Sequence, residues 1–338
     1  MSLQGFAKIG ALALLAALGA LTTAARAEGL DASAVAAFSA DMQAKHGFNA
    51  DALEQTFARV QRRDLILTTI AKPAEAKPWY VYRPIFLTPA RISDGVRFWN
   101  EHAAPLAAAE QAYGVPAAIM VAIIGVETSY GRNTGNFGVL EALATLAFHY
   151  PPRAPFFRAE LENFLLLARD ENLDALGPQG SYAGAMGLPQ FMPSSFRAYA
   201  VDFDQDGHRD IWKNPRDAIG SVGNYLARHG WVRGGPIALP VIGSPGNKAR
   251  SSDTVALQRT VAQYRAQGVR TIDPVDEQLK AVLLAYENRD GDEFWMGFAN
   301  FYAITRYNRS PKYALAVAQL AEAIEKSRGV RPPEARQP

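Results

Sequence analysis

Cysteine is absent from this chain of 338 residues. Its absence excludes disulfide bonds, zinc–thiolate sites, iron–sulfur clusters and thiol nucleophiles. It also excludes the lipid-bearing cysteine of a bacterial lipoprotein. After the N-terminal segment there is no apolar run of about eighteen residues, so we expect no membrane span there. A large excess of one charge is missing as well, because 35 basic residues stand against 33 acidic ones.

The first 27 residues have the pattern of a secretory signal peptide. Lys8 precedes the apolar run 9–21, and Ala25-Arg26-Ala27 matches the small-x-small cleavage pattern. A short hydrophobic helix of the fold is the alternative. Cleavage would remove two basic residues and no acidic one, so the net charge would fall from +2 to 0. A neutral chain excludes nucleic acid as a partner. We therefore expect a periplasmic protein, secreted through this peptide and not lipid-anchored.

The rest of the chain is predicted to be mainly helical (α+β). Hydrophobic residues make up 49% and charged residues 20%, the balance of a globular protein. From spacing and capping residues, helices are predicted over 31–46, 51–60, 89–113, 116–127, 156–171, 194–199, 216–229, 274–286 and 313–326. A glycine-rich segment, 177–193, interrupts this pattern. So does segment 232–253, whose apolar run Ile237–Ile242 predicts a strand.

Glu127 is the main catalytic candidate. The helix predicted over 116–127 is apolar on every face, which is typical of a buried helix. Glu127 ends this helix, so burial and the negative partial charge of the helix C-terminus should both raise the pKa of its carboxyl. A carboxyl that keeps its proton near neutral pH can act as a general acid. The alternative is a buried glutamate satisfied by an arginine or a backbone amide.

The glycine-rich run from Gly180 to Pro193 is a candidate ligand-binding wall. Glycine allows a backbone to approach a ligand closely. Five side chains in the run offer hydrogen bonds or flat and soft apolar surface: Ser181, Tyr182, Met186, Gln190 and Phe191. This mixture suits a sugar, because a pyranose ring has apolar faces and polar edges. The alternative is a packed loop with core aromatics.

The sequence Asp202-Phe203-Asp204-Gln205-Asp206-Gly207 has the pattern that opens an EF-hand calcium loop. Acidic residues stand at loop positions 1, 3 and 5, and glycine stands at position 6. Position 12 is Lys213, so the usual bidentate glutamate is missing. Asp210 or Asp217 would have to replace it. We predict a structural Ca²⁺, with a solvated acidic turn as the alternative, and we expect no cofactor for catalysis.

Three groups of motifs resemble those of the B-type lytic murein transglycosylases, glycoside hydrolase family 103. The motifs are Gly125–Gly131, Ser181–Pro193, and Tyr286-Glu287-Asn288 together with Tyr307-Asn308-Arg309-Ser310. The resemblance extends from about residue 79 to 324. It implies a lysozyme-like catalytic core with a flanking helical region and a small β-containing insert. It also implies peptidoglycan glycan strands as the substrate and, at the family level, wall-synthesis enzymes as further partners.

The sequence pattern at the two ends and the resemblance between them together predict six parts of the chain. These are a signal peptide (1–27), an N-terminal helical region (28–115), the lysozyme-like core with the EF-hand-like loop (116–231), the small β-containing insert (232–272), C-terminal helices that complete the cleft (273–326) and a disordered tail (327–338).

Carried over position by position, the resemblance makes Glu127 the single catalytic acid and base. The resemblance places seven residues along the cleft: Tyr82, Ser181, Gln190, Tyr225, Tyr307, Asn308 and Tyr313. We add Met186 and Phe191 from the glycine-rich run, and Arg153, to the expected substrate-binding residues. Ser181 or Asn308 would hold the acetamido group or orient Glu127. The resemblance also favours Asp217 as the replacement calcium ligand, so the expected set is Asp202, Asp204, Asp206, His208 and Asp217. The chain departs from the family at Pro152-Arg153, where two adjacent arginines are common.

A single carboxyl implies an unusual glycosidic cleavage. Ordinary glycosidases use a second Asp or Glu about 5–9 Å away, and none stands out in these motifs. The resemblance implies that Glu127 protonates the glycosidic oxygen of the MurNAc-β-1,4-GlcNAc bond and then deprotonates the 6-hydroxyl of the sugar. The product would be a 1,6-anhydro-MurNAc end, formed without water. A hydrolytic muramidase and a non-catalytic peptidoglycan-binding scaffold are the alternatives.

Overall fold

The computed structural model describes residues 29–71, 77–242 and 255–329. The predicted signal peptide lies outside these ranges. The helices are α1 (Ala32–His46), α2 (Ala50–Phe57), α3 (Asp64–Ile70), α4 (Trp79–Phe86), α5 (Pro89–Glu101), α6 (Ala103–Tyr113), α7 (Ala117–Thr128), α8 (Val139–His149), α9 (Ala154–Asp170), α10 (Pro193–Tyr199), α11 (Pro215–Arg228), α12 (Val261–Arg265), α13 (Ala299–Tyr307) and α14 (Pro311–Gly329). The strands are β1 (Phe137–Gly138), β2 (Gln179–Gly180), β3 (Ala238–Ile242), β4 (Arg259–Thr260), β5 (Arg270–Thr271), β6 (Lys280–Asn288) and β7 (Gly291–Gly297).

Helix α7 lies at the centre of the core. Ten of its twelve residues are buried, and α5, α6, α11 and α14 pack around it. Such packing explains why its sequence is apolar on every face. Among the described residues, no single helix is long and apolar enough to cross a membrane. Helices α6 and α7 reach that length and composition only as a pair bent by 114°, and α7 is the core helix of this fold.

The helix predicted over 89–113 is two helices in the structure. Helix α5 ends at Glu101 and α6 begins at Ala103, with His102 between them at φ −119° and ψ 31°. Pro105 explains the break, because proline lacks a backbone N–H and its ring collides with the carbonyl four residues earlier in a continuous helix. In the first turn of a separate α6 it causes no such conflict.

A five-stranded antiparallel sheet forms the β part of the chain, in the order β4-β6-β7-β3-β5. Strand β3 confirms the strand predicted at 237–242. The helix predicted over 274–286 was wrong, because residues 280–288 form β6 and pair with β7. The sheet therefore runs well beyond residue 272, the expected end of the insert. The apolar run 281–285 suits either a buried helix or a buried strand, and pairing with residues 291–297 decides the outcome.

The C-terminal helix α14 is longer than predicted. It continues to Gly329, so the first three residues of the expected disordered tail are helical. Residues 330–338 lie outside the described ranges. Buried residues along α14 pack against α7 and α5, and this packing places the start of α14 beside the C-terminal end of α7.

Candidate active site

Glu127 lies in the last turn of α7 with its side chain partly exposed. Burial raises the pKa of its carboxyl from 4.5 to about 7. The Tyr313 hydroxyl donates a hydrogen bond to Glu127 Oε1 at 2.5 Å, and this bond acts in the opposite direction. A carboxyl with this pKa exists in both protonation states near neutral pH. It can therefore serve first as an acid and then as a base.

Thr128 attaches the end of α7 to the glycine-rich segment. It is buried, and its hydroxyl lies 3.1 Å from the carbonyl oxygens of both Ile124 and Leu188. The same oxygen accepts a hydrogen bond from Gly131 N at 3.0 Å. Sequence reasoning gave Thr128 no role. A hydroxyl residue directly after the candidate acid, at a helix end, was the available signal.

A cluster of tyrosines surrounds the Glu127 carboxyl. The Tyr307 and Tyr313 rings are stacked, with centroids 6.5 Å apart, and the Tyr225 ring lies 4.8 Å from Tyr307. The Tyr307 hydroxyl donates to Pro189 O at 2.5 Å, which connects α13 to the glycine-rich segment. Burial, and then the charge of Glu127, raise the pKa of both Tyr307 and Tyr313. Their hydroxyls therefore stay protonated and able to donate.

Three more of the expected substrate-binding residues are Tyr82, Tyr225 and Asn308. They lie on α4, on α11 and directly after α13. Tyr82 on α4 is buried and stacks on Trp79 at 6.3 Å. On α11, the Tyr225 hydroxyl donates to the carbonyl of Arg306 at 2.6 Å. Asn308 directly follows α13, and its Oδ1 accepts from Ser310 N at 3.0 Å.

The glycine-rich segment turns two of its predicted binding residues inward. Met186 and Phe191 form a backbone bridge, with N···O distances of 2.8 and 3.1 Å, and both are buried. Phe191 packs against Tyr225 and Tyr307. Phe191 therefore supports the tyrosine cluster through these ring contacts. The burial of the Met186 and Phe191 side chains favours the alternative of a packed loop with core aromatics, and their assignment as substrate-binding residues stays a prediction.

Ser181 and Gln190 are partly exposed, and each stabilises the loop backbone. Ser181 Oγ accepts from the N–H groups of Ala183 and Ala185 at 3.2 and 3.1 Å. The hydroxyl hydrogen of Ser181 remains for donation elsewhere. Gln190 Nε2 donates to the carbonyls of Thr134 and Gly187 at 3.0 and 2.9 Å. Gln190 can then offer a ligand its carbonyl oxygen.

Arg153 lies apart from these contacts. It is exposed in the short turn before α9, with its guanidinium 4.5 Å from the centre of the Phe156 ring.

Among the described residues, no second carboxylate shifts the pKa of Glu127. The expectation of a single catalytic carboxyl stays a prediction.

The EF-hand-like loop collects three carboxylates. Oxygens of Asp202, Asp204 and Asp217 lie within 4.8 Å of one another. Asp204 Oδ1 is buried and has no hydrogen-bond partner among the described residues. Burial, together with the charges of Asp204 and Asp202, raises the pKa of Asp217. These features fit a site for a hard cation, which takes carboxylate oxygens as ligands.

Two of the expected calcium ligands lie outside this carboxylate cluster. The side chains of Asp206 and His208 are exposed, and Asp206 Oδ1 accepts from the backbone N–H of His208 at 2.9 Å. Asp210 Oδ1 accepts from the N–H groups of Trp212 and Lys213. Asp217, and not Asp210, therefore supplies the third carboxylate.

Comparison with known proteins identifies the family. The family model for the transglycosylase SLT domain matches residues 31–322. The chain belongs to this transglycosylase family. It is 45% identical over 294 residues to the membrane-bound lytic murein transglycosylase B of Escherichia coli, and the match covers 84% of this chain and 80% of the relative.

Solved structures of lytic transglycosylases have the same fold. Soluble lytic transglycosylase SltB1 from Pseudomonas aeruginosa is 52% identical, with a TM-score of 0.83 over 88% of this chain and 99% of that one. E. coli Slt35, solved in complex with calcium, is 43% identical, with a TM-score of 0.83 over 90% and 97%. P. aeruginosa SltB3, solved with NAG-anhNAM-pentapeptide, is 32% identical, with a TM-score of 0.78 over 88% and 80%.

These matches confirm two of the expectations drawn from the sequence. The fold is mainly helical with a lysozyme-like core. The chain is a lytic transglycosylase, a lyase that acts on peptidoglycan.

Proposed function

We propose that this lytic transglycosylase cleaves the MurNAc-β-1,4-GlcNAc bond without water and leaves 1,6-anhydro-MurNAc ends, with Glu127 as the single acid and base. The observation that carries the proposal is the state of Glu127. Its carboxyl is partly exposed, has a pKa of about 7 and accepts a hydrogen bond from Tyr313. The complex of SltB3 with NAG-anhNAM-pentapeptide, which contains an anhydro sugar, supports the same product.

In the first step, Glu127 gives its proton to the glycosidic oxygen. The bond between this oxygen and the anomeric carbon breaks, and the GlcNAc side leaves as an alcohol. Because Tyr313 occupies Oε1, we assign the transferred proton to Oε2. The Tyr313 hydroxyl then stabilises the carboxylate that remains, since hydrogen bonds to charged groups are stronger than neutral ones.

In the second step, the Glu127 carboxylate takes the proton of the MurNAc 6-hydroxyl. The oxygen of that hydroxyl bonds to the anomeric carbon and closes the anhydro ring, which returns Glu127 to its protonated form. The attacking oxygen belongs to the sugar itself, so its proximity replaces an activated water. No second carboxylate is needed.

We assign the walls of the cleft to the partly exposed loop residues and the tyrosine cluster. Ser181, Gln190 and Asn308 would hold the polar edges of the sugars, with the acetamido group on Ser181 or Asn308. Tyr82, Tyr225, Tyr307 and Tyr313 would form the wall around Glu127. Arg153 would act farther along the strand, on the peptide or lactyl side.

Mass spectrometry of the products released from purified peptidoglycan tests the reaction. We expect anhydro-muropeptides from the wild type and none from Glu127→Gln. Glu101→Gln, the same substitution at an exposed site on α5, serves as the control and should leave the products unchanged. Products heavier by one water, with reducing ends, would indicate a muramidase. No release by the wild type would favour the peptidoglycan-binding scaffold.

We propose a structural Ca²⁺ at the EF-hand-like loop, held by Asp202, Asp204 and Asp217. The unpartnered oxygen of Asp204 supports it, as does the calcium complex of Slt35. The ion would fix the loop between α10 and α11 and would take no part in the chemistry.

We propose that the chain is exported by the segment 1–27 to the periplasm, where it acts on glycan strands beside wall-synthesis enzymes. The lack of cysteine argues against a lipid anchor, although the E. coli relative is described as membrane-bound. A mature chain that stays with membranes after a high-salt wash would contradict this assignment. The division into a helical region, core, insert and C-terminal helices remains our proposal, with the β part extended to residue 297.

A further inference from the structure

Arg91 on α5 contacts α7, the helix that carries Glu127. It lies in the first turn of α5, and its guanidinium donates a hydrogen bond to the carbonyl oxygen of Gly125. Gly125 belongs to the last turn of α7 and precedes Glu127 by two residues. The contact therefore acts on the backbone that carries the catalytic carboxyl.

The end of α7 is conformationally demanding. Ser129, Tyr130 and Gly131 follow the helix with φ values of 51°, 62° and 86°. The left-handed region is costly for residues other than glycine and persists only where surrounding contacts enforce it. Two backbone hydrogen bonds close the end, from Ser129 N to Gly125 O at 3.0 Å and from Tyr130 N to Ile124 O at 3.3 Å. The carbonyl oxygen of Gly125 thus accepts hydrogen bonds from both the backbone N–H of Ser129 and the Arg91 guanidinium.

Tyr130 contacts both Arg91 and Gly125. Its hydroxyl donates to the carbonyl of Arg91 at 2.8 Å. Its ring lies so close to Gly125 that a Cβ there would be 2.6 Å from the ring. Only glycine permits this approach. Arg91 and Tyr130 therefore hold each other as well as the last turn of α7.

Arg91 is itself firmly placed. Thr88, the cap of α5, accepts a hydrogen bond from the Arg91 backbone N–H at 3.1 Å, and the Arg91 guanidinium lies 5.5 Å from the Phe86 ring centre. Burial lowers the pKa of Arg91, but a guanidinium remains charged at physiological pH. Its positive charge faces the carbonyl end of α7, where cations are favourable.

We propose that Arg91 is a positioning residue that sets the orientation of Glu127 through the carbonyl of Gly125. The inference rests on Glu127 being the catalytic acid. The Arg91 guanidinium acts on the backbone of α7, so we expect its loss to change the turnover rate and to leave substrate binding nearly intact. Misplacement by about 1 Å can cost on the order of a hundredfold in rate.

Three variants test the proposal: Arg91→Met, Arg91→Lys and the control Arg97→Met. Arg97 lies on the same helix, is 60% exposed and pairs with Asp94. Initial rates on soluble glycan strands and melting temperatures are measured for each. For Arg91→Met we expect kcat to fall at least tenfold with KM within about twofold of wild type. Lysine, which keeps one donor and the charge, should restore most of kcat. Arg97→Met should match wild type.

Several outcomes would overturn the proposal. They are a kcat for Arg91→Met equal to that of Arg97→Met, a rise in KM as large as the fall in kcat, or no recovery with lysine. If Arg91→Met does not fold, Tyr130→Phe replaces it, because this variant loses only the hydroxyl contact to Arg91. It should lower kcat at unchanged KM, and a wild-type kcat would contradict us. A wild type without anhydro products would instead refute the proposed function.

Discussion

At the scale of single residues, the environment of Glu127 was partly predictable. An apolar helix ending in a glutamate predicts a raised pKa, and burial in the structure raises the pKa of Glu127 to about 7. The partner that opposes this shift, Tyr313, is 186 residues away in the chain. No local spacing could reveal it. The inward direction of Met186 and Phe191 was equally hidden, because an irregular loop has no period that separates inner from outer side chains.

Tyr313→Phe tests how the single hydrogen bond to Glu127 tunes the acid. That bond lowers the pKa of the carboxyl, so its removal should raise the pKa. The protonated form would then persist to higher pH, and the alkaline limb of the pH–rate profile should move upward. We also expect kcat to fall roughly tenfold, or about 1.4 kcal/mol, because the carboxylate formed in the first step loses a donor.

The measurement is kcat against pH for the wild type, Tyr313→Phe and Tyr302→Phe. Tyr302 lies on α13 outside the cluster around Glu127, and its ring contacts Arg306. It should behave as the wild type. A Tyr313→Phe profile whose alkaline limb moves downward or not at all would mean that the hydroxyl does not control the carboxyl.

At the scale of elements, two predictions failed although the sequence carried a local signal for each. Strand β6 has an apolar run that also suits a helix, and its partner β7 follows a short turn. The Asp290-Gly291 dipeptide between two apolar runs was a hairpin signal, and Gly291 does have a φ of 122°. The break between α5 and α6 was likewise readable from Pro105. Capping residues, by contrast, correctly predicted the start of α1 at Asp31 and its end at Gly47.

Thr128→Val tests the connection between α7 and the glycine-rich segment. Valine keeps the shape of threonine but leaves the carbonyl of Leu188 and the N–H of Gly131 without their partner. Buried groups left unsatisfied cost about 1–3 kcal/mol. We expect the free energy of unfolding to fall by about 2 kcal/mol, and kcat to fall with it because both walls of the cleft lose a shared anchor.

Urea unfolding and initial rates on glycan strands measure the two effects of Thr128→Val. Thr128→Ser is the matched control, since it keeps the hydroxyl and loses only a methyl group. It should retain most of the activity. Equal losses in Thr128→Ser and Thr128→Val would show that packing of the methyl group, and not the hydroxyl, maintains the connection.

At the scale of the whole molecule, the resemblance of a few motifs predicted the fold class that the comparisons confirm. The motifs mark the ends of α7, β6 and α13 and the glycine-rich segment. They cannot show that Tyr313 on α14 donates a hydrogen bond to Glu127 or that Tyr225 on α11 packs against Tyr307, because these contacts join elements far apart in sequence. The two hydrogen bonds by which Arg91 and Tyr130 join α5 to the end of α7 could not be predicted for the same reason.

Removal of calcium tests whether the EF-hand-like loop contributes to the stability of the whole chain. Ca²⁺ that binds only the folded state at about 100 times its Kd stabilises it by about 2.7 kcal/mol. A chelator should therefore lower the melting temperature by roughly 4 °C, and added Ca²⁺ should reverse the change. At temperatures well below melting, chelation should leave kcat unaltered, because the ion takes no part in the chemistry.

Asp204→Asn provides the decisive comparison, because it removes the charge of the carboxylate whose buried oxygen lacks a partner. Its melting temperature should no longer respond to Ca²⁺. Asp41→Asn loses the same charge at an exposed position on α1 and should respond as the wild type does. If the wild type has the same melting temperature in chelator and in excess Ca²⁺, the three carboxylates form only a solvated turn. The pKa of Asp217, which burial and then the charges of Asp204 and Asp202 raise, would then let this carboxyl take up a proton before an ordinary aspartate as the pH falls.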